Sequence, residues 1–598
     1  MTNLTSPAGA FTYAYDATRQ LQVNKLTLPN TSYITNLYDT LARLTGTYLK
    51  NSGNTNLNSH QYSYNVGNQR IQQVFTATNY VDYTYDTIGQ LKTANGKESG
   101  GTTNRLQKQF GYAYDAAGNL NWRTNNALVQ AFNVNNLNEL TTATNSGTLT
   151  VAGTTTSAAT NVTVNTSNAV LYLDNTFAKD GLTVTNGSNT YKAIAKDSYG
   201  RSDTNSITVT LSNSVPYTYD LNGNLTSDGT RAFDYDDENQ LIRVTVTNKW
   251  KSEFTYDGKM RRRIRKEFTW TSTWVQTNEV RYVYDGNLMI QERDANNLPT
   301  VSYTRGRDFS GALRGAGGIG GLLARTDHGS QSIVCYHADG NGNVTALINA
   351  QQLIVAKYLY DASGNTISMS GSAADPNLYR FSSQEYHPNS ALVLYQRRAY
   401  DPNLQRWLNR DPIGEFAGVN LYEFLGNDSL NGIDPDGRLI VTIIIVGGTA
   451  IVVLEIATAY YKYQATMAQN EADTKAAATA FAKGDPSLLG SLRLPSTSKA
   501  AENVAETAQV TAGMGTIYSG GPLLIPEGTP DEAIVSILQS ILNNWGDITD
   551  LIEMAKHKLW PEPDPQKVPK PLARRWSCGG NLVISQTSPG PGWILLPE

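Results

Sequence analysis

The chain has 598 residues, a formal net charge of -4 and only 17% charged residues, with 34 tyrosines against 13 phenylalanines and 50 glycines. That length exceeds one ordinary core and sets an expectation of about three to four domains, and the near-neutral balance removes the electrostatic case for a nucleic-acid partner. Two distant cysteines, Cys335 and Cys578, and five scattered histidines give no disulfide framework and no metal-ligand spacing, so no metal and no cofactor is expected. The opening stretch MTNLTSPAGAFTYAYD has no basic region followed by an apolar run. No signal peptide is therefore expected, which leaves another export route or a chain that begins partway through a longer ancestor.

From the N-terminus onward one phrase returns. It reads YAYDATRQL at Tyr13, LYDTLARL at Leu37, YTYDTIGQL at Tyr83, YAYDAAGNL at Tyr112, YTYDLNGNL at Tyr217 and FDYDDENQL at Phe233. Degenerate copies follow at Phe254, Tyr282 and Tyr358. Tyr-x-Tyr puts both rings on one face of a strand, because side chains alternate with period two. The Asp or Asn that follows tolerates a turn and bonds its own backbone, and in several copies a Gly supplies a positive φ. A leucine stands five positions after the Asp or Asn, at Leu21, Leu44, Leu91, Leu120, Leu140, Leu225 and Leu241. Each unit is thus strand, four-residue turn, strand. Most units recur after about 16 to 29 residues, as in an array where each unit buries its face against the next.

The phrase resembles the YD repeats of the RHS family. VCYHADGNGNVTAL (334–347) is similar to that family's Tyr-His-x-Asp-x-x-Gly-Asn phrase, and YRFSSQEYHPNSALVLYQRRAYDPNLQRWLNRDPIG (379–414) to its core end-motif. The resemblance covers 10–140 and 216–438. It implies a mainly β fold: a YD-repeat β-hairpin array coiling into a small or partial hollow shell. An RHS core would close one end, and a variable C-terminal segment would lie inside or against the shell. The divisions expected are 1–145 and 215–330 for the two parts of the array, 331–438 for the core and 439–598 for the tail.

Between them, 146–214 lose the rhythm. NVTVN, TYKAIAKD and SITVTL alternate between Asn/Gly/Asp turns, the pattern of a small β-sandwich. TYKAIAKDSYGRSDT resembles bacterial Ig-like modules. The insert is expected to project from the outer wall, either as a spacer or as a module binding carbohydrate or a target-cell surface. Further on, KMRRRIRKEF (259–268) is read as a strand whose basic residues alternate between two faces, not as a nucleic-acid patch.

Two aspartates, Asp411 and Asp434, each precede a proline. Carboxylates brought close cannot both ionise cheaply, so a shared proton can serve general acid and base chemistry. Aspartates at such turns also have a purely structural use. In RHS proteins and toxin-complex C components a pair of this kind cuts the chain just after the core. Carried over, the resemblance implies self-cleavage of aspartyl-protease type by Asp411 and Asp434, with Arg398 of QRRAYDP as the family's upstream arginine. The cut would fall between Arg438 and Leu439. Asp436 is an alternative second carboxylate. Where the family has Leu, this chain has Arg438, so an apolar pocket would meet a charged stem, and the cut would fail or shift by one bond.

The tail opens on an uncharged run at 439–454, short of the about 20 apolar residues of a membrane span, so contact with a membrane through 439–461 and a buried segment both remain open. A helix is expected over about 531–559 and a proline-rich linker at 560–571. No motif there assigns a toxin chemistry: His557 stands alone, and Cys578 has no His/Asp partner pattern. Two functions follow. One is a shell protein that carries and releases its C-terminal segment, a toxin or effector, in competition between cells or contact with a host. The other is a secreted or surface adhesion protein without catalysis, anchored by the apolar run.

Overall fold

A computed structural model describes residues 2–16, 22–155, 158–416, 418–438, 441–446 and 449–454. All of them fall within one compact unit, Met1–Ile525. The helix and linker expected in the tail, with His557, Cys578 and Leu439, lie outside the described residues, as does Leu21.

The described fold is almost all antiparallel β. One sheet of 16 strands has thirteen in sequence order from Asn3–Ser6 to Leu140–Thr154 and then takes in Val170–Leu171, Thr176–Thr183 and Ser214–Pro216, and a second of 14 runs from Thr218–Tyr219 to Thr366–Ser370. Neither closes into a barrel. Among the described residues three short 3-10 turns are the only helical segments, and no helix is long and apolar enough to cross a membrane.

The repeat turn shows why this sequence makes hairpins. Asp86 closes the strand Tyr80–Tyr85. Its Oδ1 accepts the amides of Ile88 and Gln90 at 3.0 and 2.9 Å, and Gly89, at φ 94°, turns the chain into Leu91–Lys97. Asp39, Asp115, Asn135, Asp220, Asp236 and Asp257 make the same pair of bonds to the residues two and four ahead. In several units the second tyrosine of the phrase ties the unit to the one before. Tyr64 donates to Leu44 O at 2.7 Å, Tyr85 to Arg70 O at 2.6 Å, Tyr256 to Leu241 O at 2.8 Å and Tyr360 to Val344 O at 2.7 Å. A buried phenol needs such a partner, and here it doubles as a cross-repeat link.

The inner faces of the two sheets meet. Phe11, Tyr13, Leu28 and Leu49 of the first pack with Leu323, Cys335 and Ile348 of the second. Beside this apolar contact sits a polar one. Asn58 donates to Thr345 at 2.9 Å, and the buried imidazoles of His60 and His337 stack with centroids 5.9 Å apart. Burial pushes both below the usual histidine range, His337 to about 3. A cavity of about 110 Å³ beside them is lined by His60, Lys108, Asp174 and Lys357 among others.

Over 146–214 the strand Leu140–Thr154 pairs with Thr176–Thr183, while Asn161–Val164, Gly187–Lys196 and Ser202–Leu211 belong to a second, four-stranded sheet. Val162, Val164, Phe177 and Tyr191 are buried between these layers. One turn of this stretch is bonded to the repeat sheet: Asp174 pairs with Arg105 at 2.7 Å, and the Tyr172 hydroxyl accepts the Leu106 amide at 2.8 Å.

After Ser370 the chain folds into a small four-stranded sheet, Glu385–His387, Leu392–Leu394, Ala399–Asp401 and Arg406–Trp407. Two clusters hold this piece. Leu392, Leu394 and Leu408 pack on Leu225, Phe233 and Phe254 of the second sheet, and Phe381, Tyr395, Tyr400, Trp407 and Phe424 form an aromatic cluster. The strand Gly432–Ile433 pairs with Val441–Val446, which pairs with Thr449–Leu454. Within the apolar run, 441–446 and 449–454 are therefore paired antiparallel strands, as their Ile, Val and Thr content favours.

Candidate functional site

Three short pieces of backbone meet at the end of the small sheet. Arg398 precedes the strand Ala399–Asp401, Asp411 follows Arg406–Trp407, and Asp434 follows Gly432–Ile433. Each aspartate caps a turn, as its proline predicts. Asp411 Oδ1 accepts the Ile413 amide at 3.0 Å, and its carbonyl accepts the Gly414 amide at 2.9 Å. Asp434 Oδ1 accepts three amides in succession, from Asp436, Gly437 and Arg438, at 3.2, 2.7 and 3.1 Å. The turn bonds use the Oδ1 atoms, and both Oδ2 atoms face inward.

Both face one guanidinium. Arg398 Nη2 lies 2.5 Å from Asp411 Oδ2 and 3.7 Å from Asp434 Oδ2. Its Nε donates to the carbonyl of Gly437, and its Nη1 to Leu421 O at 3.3 Å. The indole of Trp407 backs the guanidinium at 4.1 Å, a cation–π contact that keeps water from that side. Arg398, Asp411 and Asp434 are all buried. Gly317 sits against Pro435, where a Cβ would meet Pro435 O at 2.1 Å, and the Arg397 amide donates to Asp436 O at 3.0 Å. The turn carrying Asp434 is thereby clipped from two sides.

The electrostatics follow from that count of charges. Burial lifts Asp411 to about 6 against the pull of Arg398. Burial lifts Asp434 further, to about 7; Arg398 opposes the rise, while Asp436 and Asp411 add to it. Burial pulls Arg398 below its ordinary value, although its carboxylate neighbours oppose that. One cation cannot hold two buried carboxylates ionised at once, so a proton stays on the pair near neutral pH.

Asp436 faces Arg438 instead of Arg398. Arg438 Nη2 and Nε lie 2.6 and 2.9 Å from Asp436 Oδ2. Arg438, whose charged stem was expected to meet an apolar pocket, is buried and paired with Asp436. Trp407 and Gly437 were absent from the expected site. A tryptophan in WLNRDP and the glycine of DPDG carry no chemical signal of their own, and only the fold brings them under the guanidinium. Among the described residues no group of three or more His, Cys, Asp or Glu is arranged to hold a metal.

Comparison with known proteins adds family evidence. Residues 178–430 match the Teneurin YD-shell family model. The tRNA3(Ser)-specific nuclease WapA of Bacillus spizizenii is 31% identical over 251 residues, which cover 40% of this chain and 10% of that protein. The double-stranded DNA deaminase toxin A of Burkholderia cenocepacia is 26% identical over 240 residues, covering 37% of this chain and 17% of that protein. The chain thus matches only a small part of these relatives' length. A solved structure, TcdB2-TccC3-Cdc42, aligns over 72% of this chain and 21% of its own, at 18% identity and a TM-score of 0.36.

Proposed function

This chain is an RHS/YD-repeat protein, and from that premise we propose that it is a toxin-related shell protein that presents its C-terminal segment, 439–598, and frees it by cutting itself near residue 438. The observation that carries this reading is the single guanidinium of Arg398, which faces both Asp411 and Asp434 and donates to the carbonyl of Gly437, one residue short of the boundary. The domain divisions at 145, 214, 330 and 438 belong to the same reading, with the Ig-like insert as a spacer in the array. The relatives' names include a nuclease and a deaminase toxin. By analogy the segment after 438 is an effector delivered outside the producing cell, to a competitor or a host.

The chemistry needs one base and one acid. Asp411, the lower of the two and in ion-pair contact with Arg398, is the base that takes a proton from water. Asp434, the higher, holds the proton that the leaving nitrogen requires. A guanidinium already bonded to a carbonyl oxygen stabilises the negative charge that forms there when water adds. Asp411 losing its charge below about pH 6 and Asp434 losing its proton above about pH 7 give a bell-shaped dependence with its maximum between them.

The test is the mass of the purified full-length chain. Two fragments parted near residue 438, and one intact chain of 65.3 kDa for Asp411→Asn, are the expected result. An uncut wild-type chain between pH 6 and 7 would refute the reading.

A further inference from the structure

Building on that reading, we propose that the bond cut is the one between Gly437 and Arg438, and that Asp436 is a specificity-determining residue that holds the arginine on its far side. The peptide unit between these residues is engaged on both edges. Its carbonyl oxygen, on Gly437, accepts from Arg398 Nε, and its N–H, on Arg438, donates to Asp434 Oδ1 at 3.1 Å. The guanidinium therefore touches the oxygen that would become an oxyanion, and the carboxyl touches the nitrogen that would leave.

The residue types on either side agree. Gly437 has φ 92°, and a Cβ there would lie 3.2 Å from Arg398 N and 3.3 Å from Tyr395 Cβ. Only glycine lets the attacked carbonyl come this close to Arg398 without strain. On the other side Arg438 is 6% exposed and Asp436 5%, and two hydrogen bonds to one carboxylate oxygen join them. A buried cation left unpaired would be strongly unfavourable, and Asp436 supplies the partner. Arg438 thus takes the buried place of an apolar residue by carrying its own counter-charge.

The step balances as a hydrolysis. The oxygen of water bonds to the carbonyl carbon of Gly437 and gives one proton to Asp411. The carbon–nitrogen bond then breaks, and the nitrogen of Arg438 leaves with a proton from Asp434. The products are a carboxylic acid on Gly437, which keeps the second proton of the water until it gives it to solvent, and a free amine on Arg438. One carboxyl gains the proton that the other loses, and no oxidant or reductant enters.

Sequencing the amino terminus of the smaller fragment, with intact mass of the larger, tests the assignment on the full-length chain. The expected fragment begins at Arg438, and its partner ends at Gly437. A fragment that begins at Leu439 or elsewhere overturns this assignment and leaves self-cleavage standing; an uncut chain overturns both. For the role of Asp436, the rate of cutting is followed in Asp436→Asn, Arg438→Ala and the double variant. Each single change is expected to slow cutting about tenfold, the double variant no more than either, and Arg438→Lys to recover part of the rate, the signature of one shared interaction. Additive losses, or a loss in Asp436→Asn without one in Arg438→Ala, would overturn it. Should Asp436→Asn fail to give the native circular dichroism spectrum, the Arg438→Ala and Arg438→Lys pair decides alone: equal rates to wild type in both overturn the role.

Discussion

Two buried arginine–carboxylate clusters lie in this fold and differ in their charge count. In the first, one carboxylate, Glu385, accepts from two guanidiniums, Arg262 and Arg265, and from the phenol of Tyr282 at 2.7 Å. Burial works to raise it, but Arg262 and Arg265 outweigh burial and hold it down at about 2. In the second, two carboxylates share one guanidinium, and burial prevails at about 6 and 7. Depth is similar in both. An excess of cations makes a carboxylate a permanent, inert anion that fastens the small sheet to the second repeat sheet. A deficit leaves a carboxyl poised to exchange its proton near neutrality, which is what acid–base chemistry requires.

The largest expected effect breaks the second cluster alone. Asp434→Asn should slow the cut by on the order of 10²–10⁴-fold, the usual worth of a general acid or base, with unfolding in urea little changed. Glu385→Gln should do the reverse. The cut persists, while the guanidinium of Arg262 loses its carboxylate and Arg265 keeps only Glu267, at 3.3 Å, a cost of about 3–5 kcal/mol in the free energy of urea unfolding. If Glu385→Gln stopped the cut in a folded chain, the division of labour between the clusters would be wrong.

Titration distinguishes them next, through opposite signs. Asp411 and Asp434 have folded values above their unfolded ones. Their stabilising contribution is complete below about pH 4 and is lost as pH rises through about 6 to 7. Glu385 has a folded value below its unfolded one. Its contribution is complete above about pH 4.5 and is lost as pH falls toward about 2. In an uncut Asp411→Asn background Arg398 faces Asp434 alone, so Asp434 should titrate lower than beside Asp411 and the fall in stability should begin at a lower pH. Thermal unfolding followed across pH reads the difference directly. The smallest effect sets the baseline away from both clusters: Tyr85→Phe removes one bond between repeats and should cost about 1 kcal/mol without touching the cut.

Much of the repeat array was legible in the sequence, because its cause is local. An Asp or Asn that bonds the amides two and four ahead, with a left-handed residue before the next strand, makes the same turn wherever it occurs. The two aspartates and Arg398 could be named from the RHS resemblance. Their convergence could not be read from spacing, since Arg398 and Asp434 meet only after the small sheet has formed. The basic phrase at 259–268 shows the same boundary. Period-two alternation puts Arg262 and Arg265 on opposite faces, yet both are buried against Glu385. The pairing of Tyr256 with Arg262 and Thr255 with Ile264 skips a residue, and that bulge at Arg263 turns the two arginines to one side. The link from Tyr to the preceding repeat and the meeting of His60 with His337 were equally invisible.

The sequence by itself thus determined the hairpin, its turn and its recurrence, since these depend on a few neighbouring residues and their φ preferences. Only the tertiary structure decided which carboxyls are pushed up toward neutrality and which is held down. That outcome depends on how many charges stand within a few ångströms in a medium of low dielectric, and those distances are set by which distant strands pack together.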